Sequence, residues 1–549
     1  MPDTESKLAE PVHIPVPANF PVTWADDVEP TLLWSWDEFH APLPRTPMTH
    51  SVSEYTRHGM TRAMKETGRY QPGGRRRLIN GYPYSASVPA EDTGDEKEQR
   101  QQAIDAAIEN AGSRWLNEWR PELERDLAYM KGVDLAGFDD SALWSTVEQF
   151  LELHKKHWYF HHLIVMPVIE SANRLEKLYA EIAGEEERSP AHLLLHGAET
   201  MTVKAIKALD RLVEDARVSP AVREVLLAGE DVSQTYSRLE ATPEGRAWLG
   251  QLNSYLQDYG YRCAGFDLIF PAWVEEPRFA LQMIRSQLAS DAGKRNGVIS
   301  VTDERDGLLE KARALGASRP DLLAKFEQHY RQAQELWPLK EDHSYYIDQA
   351  STALVRIILA EVGRRLAAKG VIGSPEDAWF LSLEEAAQAL TATPDPNIRP
   401  AIEQRRQDRE RFRRVTPPKY LGTFPPDHEA INPASEPDMA ETARTLRGTA
   451  ASKGEGSGIA RVVMSPDDFD KVQKGDVLVC RSTAPMWTPL FEIVSALVSE
   501  AGGVLSHPAV VAREFGLPAV VGVANATSII TDGQPVTVSG TDGLVHVNP

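Results

Sequence analysis

From about residue 100 to residue 415, apolar side chains recur at spacings of three and four amid many Ala, Leu, Glu and Arg, and the pattern predicts a helical body. Within it Val147, Phe150, His154, Trp158, His161, Val165 and Val168 fall on one stripe of a single helix. Pro167 lies inside that helix, where it removes a backbone donor and is expected to introduce a kink. The last hundred residues differ: short apolar runs ("IARVVM", "DVLVC", "SALVSE", "PAVVG", "PVTVSG", "LVHV") alternate with glycine turns. They predict a compact β/α domain over residues 448–549. Between the two, the charged helix in "IEQRRQDRERFRRVTPPKYLG" is stopped by Pro417 and Pro418. Residues 422–447 follow, rich in Pro, Asp, Glu and small residues, and predict a linker. At up to ~3.5 Å per residue even half of it reaches far, so the C-terminal domain is expected to move. At the other end, residues 1–30 predict an extended arm. "TLLWSWDEFHAPLPRTPMTHS" predicts loop and short strand, and "GGRRR" at 73–77 a solvated loop.

At 549 residues the chain exceeds one hydrophobic core and is expected to be multidomain. Its 59 Lys and Arg against 80 Asp and Glu give a net charge of -21, which opposes a polyanionic partner and argues against nucleic acid. No basic start precedes an apolar run and no stretch of 18 apolar residues occurs, so a cytoplasmic protein without membrane contact is expected. Cys263 and Cys480 sit in no metal or redox spacing and read as small buried hydrophobes.

Candidate chemistry begins at "GGVLSHPAVVAREFGLPAVVG", residues 502–522. Gly502 and Gly503 permit close backbone approach, Ser506 stands next to His507, and Pro508 suits the first turn of a helix whose free N–H groups attract anions. Such a position keeps an imidazole neutral and nucleophilic, as a phosphate-carrying histidine requires. Arg513 lies two turns along, too far to clamp the phosphate, and fits a surface ion pair as readily. A capping or surface histidine without chemistry is the alternative for His507.

The run "APMWTPLFEIVSALVSEAGGVLSHPAVVAREFGLPAVVG" resembles the swivelling phosphohistidine domain of phosphoenolpyruvate synthase, pyruvate phosphate dikinase and rifampicin phosphotransferase. Thr488, Glu500, Gly502, Gly503, Ser506, Arg513, Gly516 and Pro518 fall where that pattern expects them. It departs in having Ser506 before the histidine and Pro508 after it. "YLQDYGYRCAGFDLIFPAWVEEP" resembles the central segment of the rifampicin phosphotransferase-like enzymes, and "DEFHAPLPRTPMTHS" their opening segment. The resemblance runs from about residue 28 to the end. It implies a mainly α-helical acceptor-binding body, residues 31–421, followed by a small swivelling β/α phosphohistidine domain.

By the same likeness His507 accepts the β-phosphoryl of ATP, and His161 matches a family histidine expected to be the acceptor-site base, with His154 second. Arg262 and Arg45 are candidates for steadying the phosphoryl group, and Trp158, Tyr261 and Phe266 for holding the acceptor. Tyr261 and Phe266 replace a usual histidine and glutamate, which implies a more apolar acceptor. The alternative is a pair of core histidines satisfied by backbone carbonyls. His157 and His161 are four apart but lack a carboxylate or thiol at ligand spacing, so no metal is expected.

No nucleotide-binding loop is found. In layout the chain resembles the phosphohistidine subunit of phenylphosphate synthase and of cresol-phosphorylating enzymes. That likeness implies a separate ATP-grasp subunit that uses ATP and Mg²⁺ and releases AMP and phosphate, and an acceptor with a phenolic hydroxyl. Another hydroxyl compound, such as an antibiotic or alcohol, or a non-catalytic phosphohistidine carrier, are the alternatives.

Overall fold

The computed structural model describes residues 11–69, 74–86, 94–184, 190–195, 197, 199–263, 265–289, 301–425, 445–483, 487, 490–504 and 506–548, without the side chains of 301–304, His507 and Glu514. Helices dominate as far as residue 413. The first, α1 (Pro47–Glu66), begins before the predicted helical region. Its start is nevertheless written in "RTPMT": Thr46 caps the helix by accepting from Thr49 N, and Pro47 opens it. After α2 (Gly94–Arg114) and α3 (Arg120–Gly132) comes α4 (Asp140–Ala183), capped by Asp139, closed by Gly184 at φ 69°, and continuous through Pro167. Helix α1 lies along α4. At Gly59 a Cβ would meet Lys155 O at 2.7 Å, so the close approach requires glycine there.

A small antiparallel sheet covers one end of α1. Its strands are β1 (Val12–His13), β2 (Leu33–Trp36), β3 (Arg75–Ile79), β4 (Tyr82–Ala86) and β5 (Tyr420–Phe424), in the order β1-β5-β2-β4-β3. This corrects two expectations, on the linker and on residues 73–77. The described part of the extended arm is anchored: Val12 pairs with Phe424, and Phe20 is fully buried among Trp34, Tyr82 and Tyr84. The linker begins later than residue 422, because residues 422–424 belong to β5. There Gly422, at φ 88°, passes so close to Leu32 O that no side chain fits. Residues 426–444 lie outside the described residues. Arg75 to Arg77 form a strand, not a solvated loop; Gly73 lies outside the described residues.

The C-terminal domain is an eight-stranded sheet of β6 (Thr445–Arg447), β7 (Thr449–Ser452), β8 (Glu455–Val463), β9 (Val477–Cys480), β10 (Ala496–Ser499), β11 (Ala519–Val521), β12 (Pro535–Ser539) and β13 (Leu544–Val547). The order is β6-β13-β12-β8-β9-β10-β11-β7, with β8 to β11 parallel. Strands β9, β10 and β11 are buried on both faces, as their uninterrupted apolar runs require. Val477, Val479 and Val498 fill one face of the sheet. Leu478, Cys480 and Leu497 point the other way, into a core shared with Leu252, Phe279 and Ile284 of the helical body. The domain is thus docked on the body: Phe469 meets Phe279 edge-on at 5.5 Å, and Arg278 pairs with Asp470 at 3.3 Å. Both cysteines are free and buried. Among the described residues no helix is long and apolar enough to cross a membrane.

Candidate functional site

Helices α1 and α4, strands β2 to β4 and the segments around residues 37–45 and 266–268 enclose a cavity of about 520 Å³. Five residues singled out in the sequence line it together: Arg45, His154, Trp158, His161 and Phe266. One buried carboxylate joins the segments that carry them. Asp267 accepts from Thr46 N (2.8 Å), Thr46 Oγ1 (2.7 Å) and Thr49 Oγ1 (2.7 Å), and so ties the start of α1 to the loop bearing Phe266. The Phe266 ring stands against Phe39 and His40, 5.8 and 5.3 Å away, and forms an apolar wall.

His154 belongs to a one-directional relay. Trp158 Nε1–H donates to His154 Nε2 (3.0 Å), which assigns the remaining proton to Nδ1 and directs it at Ser351 Oγ (2.8 Å). The serine hydroxyl then donates to His157 Nδ1 (2.8 Å), and His157 Nε2–H to Asp126 Oδ2 (3.1 Å). Burial pushes His154 down to about 3 and lowers His157 as well, although Asp126 opposes the second shift. Both rings are neutral and fully bonded. His154 therefore positions the Trp158 indole, and its partners are side chains, not the backbone carbonyls of the core-histidine reading.

His161, two turns past His154 along α4, is different. Its Nδ1 lies 2.9 Å from Asp348 Oδ1 but off hydrogen-bond geometry, and its ring stands 4.8 Å from that of His343. Burial, and then the His161 ring, bring His343 down to about 4.

The sequence reading missed three further imidazoles on the cavity wall, His40, His50 and His162, of which His40 is set up as a base. His40 Nδ1 bonds Asp37 Oδ1 at 2.9 Å, leaving Nε2 for a proton. Burial works against both charges, yet the pair holds: Asp37 raises His40, while His40 and Arg45 keep Asp37 well below the usual carboxylate range. The Arg45 guanidinium is 4.0 Å from Asp37 and bonds Ser53 Oγ at 3.4 Å. Arg76 and Arg77 of β3 also line the cavity, and Arg77 pairs with the buried Glu29. His40 was already in the quoted "DEFHAPLP", where its spacing of three from Asp37 was the available signal.

Two predicted residues lie elsewhere. The buried Arg262 donates through Nε to Tyr259 O (2.6 Å) and spreads over the Trp273 ring at 5.2 Å. Tyr261 is buried under Lys131 Nζ, 4.1 Å from its ring centre. Neither lines the cavity, and both support the core.

In the C-terminal domain His507 is the first residue of the helix His507–Glu514, with Ser506 at the cap and Pro508 next. Ser506 Oγ donates to Gly503 O (2.7 Å), and Gly502 adopts φ 110°, where a Cβ would strike Ser506 Oγ at 2.6 Å. Arg513 is not a surface residue: it is 6% exposed, and its guanidinium bonds Ala451 O and Val504 O, bracing the loop before His507. Glu500 accepts from Thr527 N (2.7 Å) and Oγ1 (2.6 Å), a structural cap. Thr488 lies outside the described residues. Val510, one turn past His507, packs into the body's core beside Trp337 and Leu339.

The model of the PEP-utilising enzyme mobile domain matches residues 472–543, and that of the rifampicin phosphotransferase fourth domain matches residues 160–341. Two stretches of the chain thus resemble domains of PEP-utilising, phosphohistidine-type enzymes. The chain is 32% identical to the uncharacterized phosphotransferase YvkC of Bacillus subtilis, over 77% of its own length and 51% of the relative's. It is 31% identical to a rifampicin phosphotransferase of Streptomyces sviceus, over 70% and 44%. It is also 29% identical to chondramide synthase cmdD of Chondromyces crocatus, over 97% and 14%. The chain thus spans about half the length of the phosphotransferases it matches, or less.

Proposed function

We propose that the chain is the phosphohistidine and acceptor-binding part of an ATP-dependent phosphotransferase. One observation carries the reading: a chain matching the PEP-utilising mobile domain also holds a cavity lined by a carboxylate-oriented imidazole, arginines and aromatic faces. His507 takes the β-phosphoryl of ATP from an ATP-grasp unit working with Mg²⁺, on a partner subunit, which releases AMP and phosphate. The domain of residues 445–548 then swings to the cavity. There the acceptor oxygen attacks phosphorus, the P–N bond breaks with its electron pair returning to the imidazole, and the hydroxyl proton passes to His40 Nε2. The Asp37 carboxylate holds that ring in the accepting tautomer. His161 ranks second as base, because its Nδ1 lacks an aligned hydrogen bond. Arg45 draws the phosphoryl charge, and Trp158 and Phe266 hold the acceptor's apolar part while water is excluded.

A cavity of about 520 Å³ falls in the range of drug-sized ligands, roughly 300–1,000 Å³, and exceeds what one phenol ring fills. The acceptor favoured is therefore an aromatic hydroxyl compound larger than phenol or cresol. Trp36 and Trp158 face the cavity, so binding is read from tryptophan fluorescence. Bulky aromatic alcohols and phenols are expected to quench it at lower concentration than phenol does. Equal or stronger response to phenol returns the assignment to the simple phenols.

A further inference from the structure

Three side chains that the sequence keeps apart converge behind the cavity, whose wall one of them, His161, joins. His161 comes from α4, His343 ends the helix Leu339–His343, and Asp348 belongs to the π-helical turn Ser344–Ser351 that follows directly. Each offers one ligand atom, and the three atoms lie within 4.8 Å of one another. The π-turn makes this possible. At ~100° per residue an α-helix sets residues five apart well away from each other, whereas i→i+5 bonding winds wider and returns them to one side.

The three groups do not satisfy one another. His161 Nδ1 and Asp348 Oδ1, on side chains 9% and 10% exposed, are 2.9 Å apart, at ion-pair distance but without an aligned hydrogen bond, and neither has another hydrogen-bond partner. His343 Nδ1–H donates to Leu339 O at 2.7 Å, which fixes the tautomer and turns the Nε2 lone pair toward Asp348 Oδ2, 4.0 Å away. Two electron-rich atoms thus face each other across a gap too wide for a hydrogen bond. Separations of 2.9 and 4.0 Å bracket the roughly 3.3–3.6 Å that a tetrahedral ion with bonds of ~2.0–2.2 Å sets between two donors. A backbone carbonyl behind a ligating imidazole is the usual outer support of such a ligand.

We propose that His161, His343 and Asp348 bind one divalent transition-metal ion, zinc matching a set of two imidazoles and one carboxylate, its open position lying on the side of His161, the member of the set that lines the cavity. The expectation of no metal rested on the missing carboxylate near His157 and His161; the fold supplies it from a distant helix. A hydroxyl coordinated at the open position ionises at lower pH and attacks phosphorus more readily. That role rests on the acceptor reading above, whereas binding does not.

The test uses the full chain, stripped with a chelator and titrated with Co²⁺. One equivalent is expected to bind with visible d–d absorption and to be displaced by Zn²⁺. H343Q and D348N should each weaken binding at least about tenfold, while H50Q, which alters another cavity imidazole, should not. Circular dichroism identifies any variant that misfolds, and the wild-type stoichiometry then decides alone. Absence of the band, or its full retention in both H343Q and D348N, overturns the site. Full acceptor turnover in a protein that takes up no Co²⁺ overturns the site and leaves the function intact; stoichiometric uptake through the triad without turnover supports the site and overturns the function.

Discussion

His40 owes its proposed work to Asp37, three residues before it in the same turn, which bonds Nδ1 and raises the ring's affinity for protons. A base must be neutral to act, so transfer to the acceptor should rise with pH through a limb lying above 6.5. D37N should move that limb down and slow transfer by about 10²-fold, within the usual range for a positioned base. An unmoved limb assigns the proton to another group. The buried imidazoles give the opposite sign. His154 falls from 6.5 to about 3 on folding, and His157 and His162 are also lowered, chiefly by burial. The unfolded chain therefore binds more protons, and the stability they contribute, complete above pH 6.5, is lost as pH falls toward their folded values. Each such ring adds up to about 1.4 kcal/mol per pH unit. The urea midpoint should drop steeply below pH 6.5, and H154Q should flatten the slope. Of these residues, His154, Trp158 and His161 were legible because a 3.6-residue period puts them on one face. His343 and Asp348 were not, since neither carries a local pattern and each reaches the site only through helix packing.

At the scale of elements, the cavity depends on holding α1 and the loop at 266–268 together, and Asp267 does so with donors from both. D267A should cost about 3 kcal/mol by leaving those donors unpaired, read as a lower denaturant midpoint, and should weaken ligand quenching of Trp158. An unchanged midpoint would show that the tie is dispensable. The "TPMT" start of α1 was readable as a cap and an opening proline, yet the surrounding prolines and tryptophans suggested loop. The β1–β5 pairing joins residues some four hundred apart, and no local pattern announces it. The C-terminal strands were legible because parallel strands buried on both faces need unbroken apolar runs.

For the whole molecule, the account requires the C-terminal domain to leave the body and return. The described arrangement is the docked one, with Arg278 against Asp470 and Phe279 against Phe469. A bifunctional cross-link between R278C and D470C should leave aromatic ligand binding unchanged and abolish label uptake from ATP through the ATP-grasp unit. Uptake at the normal rate by the cross-linked protein would mean that no swing occurs. On the proposed reading courier and acceptor site share this chain, so one measurement reaches the centre of the account. The protein is charged with β-labelled ATP through an ATP-grasp subunit, the modified residue is located by mass spectrometry, and an aromatic hydroxyl compound is added. The account predicts one acid-labile phosphate per chain on His507, absent from H507A and transferred stoichiometrically to the hydroxyl; phosphate on another residue, or phosphate that stays on His507 in the presence of every acceptor, contradicts it.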